Sequence, residues 1–113
     1  MIKIYHNPKC TKSRQGVAFL EEKGIEFQIV KYLEDTFTVE TLSKIIKELG
    51  IKPIELVRKN EAIWKSNFKG KELSDTEIIQ AMVDFPKLIE RPIVVNKGRA
   101  VIARPTEKIE EIL

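Results

Sequence analysis

The sequence holds one cysteine and one histidine, and both scarcities exclude chemistry. A single thiol cannot close an internal disulfide, so a disulfide-stapled secreted fold is ruled out and any redox cycle must recruit a thiol from another molecule. One histidine and one cysteine do not make a zinc site, so no metal is expected. Long apolar runs are also missing. Nothing approaches the roughly 20 residues of a membrane helix, and the chain enters Ile2-Lys-Ile-Tyr5 without a signal-peptide pattern, so no membrane partner is expected and the cytoplasm is the expected location. Charge of one sign is scarce in blocks. Lys and Arg number 20 against 17 Asp and Glu, for a net charge of +3. The basic residues are spread along the chain, which leaves nucleic-acid binding unsupported, and a small anionic ligand accounts for local clusters equally well.

What is present describes one small domain, residues 1–113, with an apolar share of 42% and room for a single hydrophobic core. Ile2 to Tyr5 alternates as a strand, Asn7-Pro8 breaks it, and a helix is expected from about Thr11 to Lys23, closed by Gly24. Phe27 to Tyr32 reads as a second strand, which makes a right-handed βαβ unit. A helical insert follows over about 38–88. Thr38 starts its first helix and Gly50 ends it, and Ser74-Asp-Thr-Glu77 resembles a capping box opening a helix to about Val83, stopped by Pro86. Ile93 to Val95 and Ala100 to Ile102 are strands joined by the hairpin signal Asn96-Lys-Gly-Arg99. A last helix should run from Pro105, a good first-turn residue, through Ile109 and Ile112. The order is βαβ, helical insert, ββα, the order of a small α/β sandwich.

Cys10 lies where the first strand runs into the first helix. A thiol there faces unpaired backbone N–H groups and the positive end of the helix dipole, and Lys9, Lys12 and Arg14 add positive charge nearby. Such surroundings bring a thiol from about 8.5 down to roughly 3.5–7.5 and make it nucleophilic at neutral pH. The bland reading is an inert core cysteine, but the polar flanks Lys9 and Thr11-Lys-Ser13 favour the reactive one. His6 is either a hydrogen-bonded turn residue or a group that stabilises the thiolate. Ser13 either caps the helix or donates to the thiolate. Trp64 and Phe68 read as core of the insert.

The segments His6-Asn-Pro-Lys-Cys10-Thr-Lys-Ser13-Arg14, Tyr32-Leu-Glu34, Leu56-Val-Arg58-Lys59, Arg91-Pro-Ile-Val-Val95 and Arg104-Pro-Thr-Glu107 resemble, in order and spacing, the glutaredoxin-linked arsenate reductase family over nearly the whole chain. The resemblance implies a thioredoxin-like βαβ–ββα three-layer sandwich, with a mixed four-stranded sheet and an all-helical insert between the second and third strands. It further implies Cys10 as the nucleophile, Arg58, Arg91 and Arg104 as a cluster around an oxyanion, and Pro92 as a cis proline facing the thiol. The chemistry is consistent with this, because planar guanidinium groups bind a tetrahedral oxyanion through paired, charge-assisted hydrogen bonds. The plain alternative for any one arginine is a solvated surface charge. Arg91 and Arg104 each directly precede a proline at an element boundary, which favours a site.

Ser13 stands where dithiol oxidoreductases carry a second cysteine, so a dithiol cycle is impossible. Three functions remain open. The first is reduction of arsenate to arsenite through a Cys10–glutathione disulfide that glutaredoxin resolves, with glutathione as co-substrate and no bound cofactor. The second is a glutathione-dependent thiol reductase on another substrate. The third is a non-catalytic regulator that binds RNA polymerase, a reading that the serine and the Arg104-Pro105 pair disfavour.

Overall fold

Ile2 and Ile4 bury while Lys3 faces solvent, the two-residue period of a half-buried strand. A computed structural model describes all 113 residues, and by its contacts the chain forms two compact units, Met1–Asp35 with Arg91–Leu113, and Thr36–Glu90.

The first unit is built on a mixed four-stranded sheet in the order β2-β1-β3-β4. Strand β1 spans Ile2–Tyr5, β2 Phe27–Val30, β3 Ile93–Asn96 and β4 Arg99–Ile102. β1 pairs parallel with β2 and antiparallel with β3, and β3 pairs antiparallel with β4. The last two strands close through Lys97 (φ 51°) and Gly98 (φ 77°), the left-handed pair of a two-residue type I′ hairpin. Each of these strands runs one residue further into the turn than expected. β2 stops at Val30, short of Tyr32, because Glu34 and Asp35 N–H both turn back to the Lys31 carbonyl, at 3.0 and 2.8 Å.

Helix α1 spans Thr11–Glu22. Lys23 is its C-cap and Gly24 takes the left-handed position just beyond, φ 66°. Gly24 N–H donates to Glu21 and Ile25 N–H to Leu20, the paired bonds of a Schellman ending. The C-terminal segment Thr106–Ile112 is a 3-10 helix rather than an α-helix, with Pro105 as its N-cap rather than inside its first turn. Its three-residue period suits the sequence, since it stacks Ile109 over Ile112 on one line. Both bury with Ile2, Ile4, Leu20, Val94 and Ala103 in one core. Asn96 Nδ2 donates to the Ile112 carbonyl at 2.6 Å and Arg99 to that of Glu111, satisfying carbonyls that the helix end leaves open.

The second unit holds α2 (Val39–Leu49), α3 (Ala62–Asn67), α4 (Asp75–Asp84) and two short 3-10 helices, Pro53–Leu56 and Pro86–Leu88. Thr38 and Thr41 form a reciprocal capping box at the start of α2, and Ser74 and Glu77 form another at α4. Gly50 (φ 69°) closes α2 in the left-handed conformation. The unit departs from the expected all-helical insert at one place. Val57 and Ile89 form an antiparallel bridge, with Arg58 N–H on the Leu88 carbonyl at 2.7 Å and Glu90 N–H on that of Leu56 at 2.9 Å. Two separated segments thereby satisfy each other's buried backbone groups, which neither helix can do. The stretch from Leu88 to Glu90 leads directly into Arg91. Trp64 stacks on Phe68 with ring centroids 5.5 Å apart, and Trp64 is buried, so this pair is core.

Gly16 sits on the buried face of α1. A Cβ there would meet Ile4 Cδ1 and Pro92 Cγ, each at 3.1 Å, so α1 approaches β1 and the proline ring as closely as a helix can. Gly16→Val should lower stability by about 1–3 kcal/mol through overpacking, read as a reduced urea midpoint with unchanged slope. An unchanged midpoint would contradict the close approach.

Candidate functional site

The strand registers bring distant residues to one end of the sheet. β3 and β4 pair Ile93 with Ile102, and one step further Ala103 N–H donates to the Pro92 carbonyl at 2.9 Å. Arg91 and Arg104 each lie one residue past this bond, and there the Arg104 N–H turns back to the Ile102 carbonyl at 2.8 Å. On the other side Tyr5 pairs with Ile93, so the residues after Tyr5 leave β1 beside Pro92 and Arg91. Those residues are His6 to Cys10. The Arg91–Pro92 peptide is cis, the isomer that the resemblance implied, and Arg104–Pro105 is cis as well.

Cys10 is the N-cap of α1, with extended backbone and half-buried. Its N–H is tied to the Asn7 carbonyl at 3.0 Å, and its carbonyl accepts the Arg14 N–H at 3.0 Å. The sulfur makes no conventional cap hydrogen bond, and its ionisation is set by a balance of opposing influences. Burial is the largest and pushes the thiol up. Against it act the Ser13 N–H, the positive charge of Arg91, a hydrogen bond from the Arg91 guanidinium and the Lys12 N–H. Together these hold the thiol below its ordinary value, as expected when donors and a cation outweigh desolvation.

The cation at the sulfur is therefore Arg91. Lys9 and Arg14 do not figure in the balance, and Lys12 enters only through its backbone N–H. Arg14 is engaged with the loop instead. Its Nη1 donates to the Pro8 carbonyl at 2.8 Å and its Nη2 to Thr11 Oγ1 at 3.2 Å. The Nε of Arg91 is buried and has no acceptor within the protein. A buried donor without a partner costs free energy unless an acceptor reaches it.

His6 and Ser13 are the two buried polar residues of the chain, and they bond to each other, with His6 Nδ1 2.6 Å from Ser13 Oγ. The same oxygen accepts the Asn7 N–H at 2.9 Å. Burial, the charge of Lys31 and the charge of Arg14 lower the affinity of His6 for a proton, and a hydrogen bond with the Ser13 backbone only partly offsets them. The imidazole is thus neutral at neutral pH. In the Nε2–H tautomer the Ser13 hydroxyl donates to Nδ1 while its oxygen accepts from Asn7, which uses its only proton.

Cys10, His6, Ser13, Arg91 and Pro92 thus come together at one end of the sheet, and Arg104 lies exposed just beyond β4. Arg58 belongs to the second unit, where its guanidinium pairs with Glu61 at 3.5 Å. The sequence reading missed Asn7 and Lys31. An Asn before proline at a strand end is a turn signal, and its Oδ1 does accept the Lys9 N–H at 3.1 Å. Lys31 acts through strand pairing and left no local signal. No cluster of His, Cys, Asp and Glu able to hold a metal ion is present, and no helix is long and apolar enough to cross a membrane.

Comparison with known proteins places this geometry. The model of the ArsC family matches residues 5–112. The chain is 47% identical to the uncharacterized protein YfgD of Escherichia coli over 99% of its length and 96% of that protein. It is 44% identical to an arsenate reductase of Haemophilus influenzae over 97% of each chain. The solved structure of an arsenate reductase from Vibrio cholerae superposes with a TM-score of 0.94 at 46% identity, covering 99% of this chain and 97% of that one.

The ionisation balance has a direct readout. Alkylation of Cys10 against pH should give a midpoint below the ordinary thiol value of about 8.5, and Arg91→Leu should move it upward. For Cys10 the folded protein binds fewer protons than the unfolded chain between the lowered midpoint and the ordinary one, so stability rises with pH across that window. His6 has the same sign. Its folded value lies below 6.5, so stability falls as pH drops below about 6.5 and the unfolded chain takes up the proton first. The Hε1 resonance of the one histidine, followed in a proton NMR titration, should give a midpoint below the ordinary histidine value. A value at or above it would mean that the ring carries charge.

Proposed function

The chain belongs to the ArsC family, and from that membership we propose that it reduces arsenate to arsenite with glutathione and glutaredoxin as electron donors. One observation carries the reading: the Nε of Arg91 is buried with no protein acceptor, and the same guanidinium favours the thiolate of half-buried Cys10. A nucleophile and an oxyanion donor share one small space. That is the pairing needed to attack a tetrahedral oxyanion.

In the proposed sequence the Cys10 thiolate attacks arsenic and water leaves, which gives a sulfur–arsenic adduct still at oxidation state five. The thiolate of glutathione then attacks the Cys10 sulfur. The sulfur–arsenic bonding pair departs with arsenic, which leaves as arsenite at oxidation state three, and Cys10 and glutathione become a disulfide. Glutaredoxin attacks the glutathione sulfur of that disulfide, takes the glutathionyl group and frees the Cys10 thiolate. With Ser13 where a second cysteine would stand, the resolving thiol has to come from outside. Arg91 holds the oxyanion beside the sulfur and Arg104, one residue past Ala103, supplies a second guanidinium. Arg58 enters the proposal on the family motif alone. Pro92 shapes the floor of the site, with its ring against α1 at Gly16. His6 and Ser13 serve the thiolate.

NADPH oxidation coupled through glutathione reductase and glutaredoxin should depend on arsenate and vanish in Cys10→Ser. Arg91→Leu should lower kcat/KM for arsenate by about 10²–10³-fold, as for other preorganised oxyanion donors. Brisk turnover of a mixed disulfide with none of arsenate would replace this reading with a thiol reductase on another substrate.

A further inference from the structure

From Met1 to Leu20 the chain holds Lys3, Lys9, Lys12 and Arg14 and no aspartate or glutamate. Three of these cations bracket Cys10, which stays partly open to solvent. Arg14 is committed to the loop, with its guanidinium on the Pro8 carbonyl and the Thr11 hydroxyl. Lys9 and Lys12 have no such duty. Both are exposed, the first turn of α1 carries no acid, and no carboxylate of the protein pairs with either. Two ammonium groups therefore stand one residue before and two residues after the nucleophile, with their charge answered only by solvent.

We propose that Lys9 and Lys12 are specificity-determining residues for the thiol donor: their ammonium groups receive the carboxylates of glutathione as its thiolate comes to the Cys10 sulfur. The proposal rests on the reading above, in which Cys10 is the nucleophile and glutathione its partner. In that sequence the Cys10–arsenic adduct carries anionic oxygens, and glutathione brings two carboxylates against one ammonium in addition to its thiolate. Two anions must therefore meet at one sulfur. Arg91 is taken up by the oxyanion and Arg14 by the loop, so the charge left to meet the donor is that of the two lysines. An ammonium on a flexible four-carbon stem suits a donor that arrives and leaves, whereas a planar guanidinium fork fixes one geometry. Water screens these lysines, but they still raise the local concentration of an incoming anion within a Debye length of about 8 Å.

Exchange of Cys10 with small disulfides tests this without arsenate. The Cys10 thiolate attacks one sulfur of the probe, the sulfur–sulfur bond breaks, and the other half leaves as a thiolate. Three probes differ in charge at neutral pH: glutathione disulfide at about −2, neutral bis(2-hydroxyethyl) disulfide, and cystamine at about +2. Comparing variant with wild type probe by probe cancels differences in leaving group. The double variant Lys9→Gln, Lys12→Gln should slow exchange with glutathione disulfide by about three- to tenfold, leave the neutral probe within about twofold and speed cystamine. Added salt should slow the glutathione disulfide reaction of the wild type more steeply than that of the double variant. Lys97→Gln, exposed at the far end of the β3–β4 hairpin from Pro92, should change none of the three. In arsenate turnover the double variant should raise KM for glutathione and leave KM for arsenate unchanged. Equal slowing with all three probes would mean that the lysines act on the thiol, and an unchanged glutathione disulfide rate that they do not meet the donor. A raised KM for arsenate alone would assign them to the oxyanion. Each of these results overturns the proposal, and with normal arsenate turnover it overturns the proposal alone. The expected charge selectivity without arsenate turnover would instead remove arsenate as substrate and leave the lysines as the donor site.

Discussion

The hydrogen bond from Ala103 N–H to the Pro92 carbonyl, 2.9 Å long, is the constraint on which the site depends. It continues the β3–β4 ladder past its last regular pair and ties together the two segments that end in Arg91 and Arg104. Because β3 is also the antiparallel neighbour of β1, the same register delivers Arg91 to the loop that carries Cys10. The tight turn at Lys97 and Gly98 sets that register from a few residues away.

Placing a cation by register differs in kind from placing it in sequence beside the thiol. Lys9, Lys12 and Arg14 surround Cys10 along the chain and are exposed, where water screens them. Arg91 is partly buried, and both its charge and its guanidinium N–H favour the Cys10 thiolate. Burial raises the cost of the thiolate and at the same time strengthens each donor that faces it. The outcome favours the charged form because several donors converge on one sulfur. His6 shows the opposite case, a buried base faced only by cations and a hydroxyl, and it stays neutral.

Much of this was legible in the sequence wherever the signal was local. The capping residues Thr38 and Ser74, the left-handed glycines, the Asn96-Lys-Gly-Arg99 hairpin and the place of Cys10 at a helix start each depend on a few adjacent residues. The motifs that carry the resemblance to the arsenate reductases also lie at these junctions, and the family is shown by the match over residues 5–112. What local pattern could not supply was any effect of non-local pairing. The identity of the cation at the sulfur, the influence of Lys31 on His6 and the Val57–Ile89 bridge all follow from pairing between distant segments, while β2 ends at Val30 because of the turn closed on the Lys31 carbonyl. The 3-10 character of Thr106–Ile112 was hidden for another reason, since apolar residues three apart suit an α-helix nearly as well.

The central claim is that Cys10 supplies one electron-pair bond to arsenic and ends as a disulfide with glutathione. The most direct measurement is intact-protein mass spectrometry after a single turnover with arsenate and glutathione, with glutaredoxin left out. The account predicts one glutathionyl group on Cys10 for each arsenite formed, and none when arsenate is omitted. Arsenite formed without the adduct, or the same adduct formed equally fast without arsenate, would contradict it.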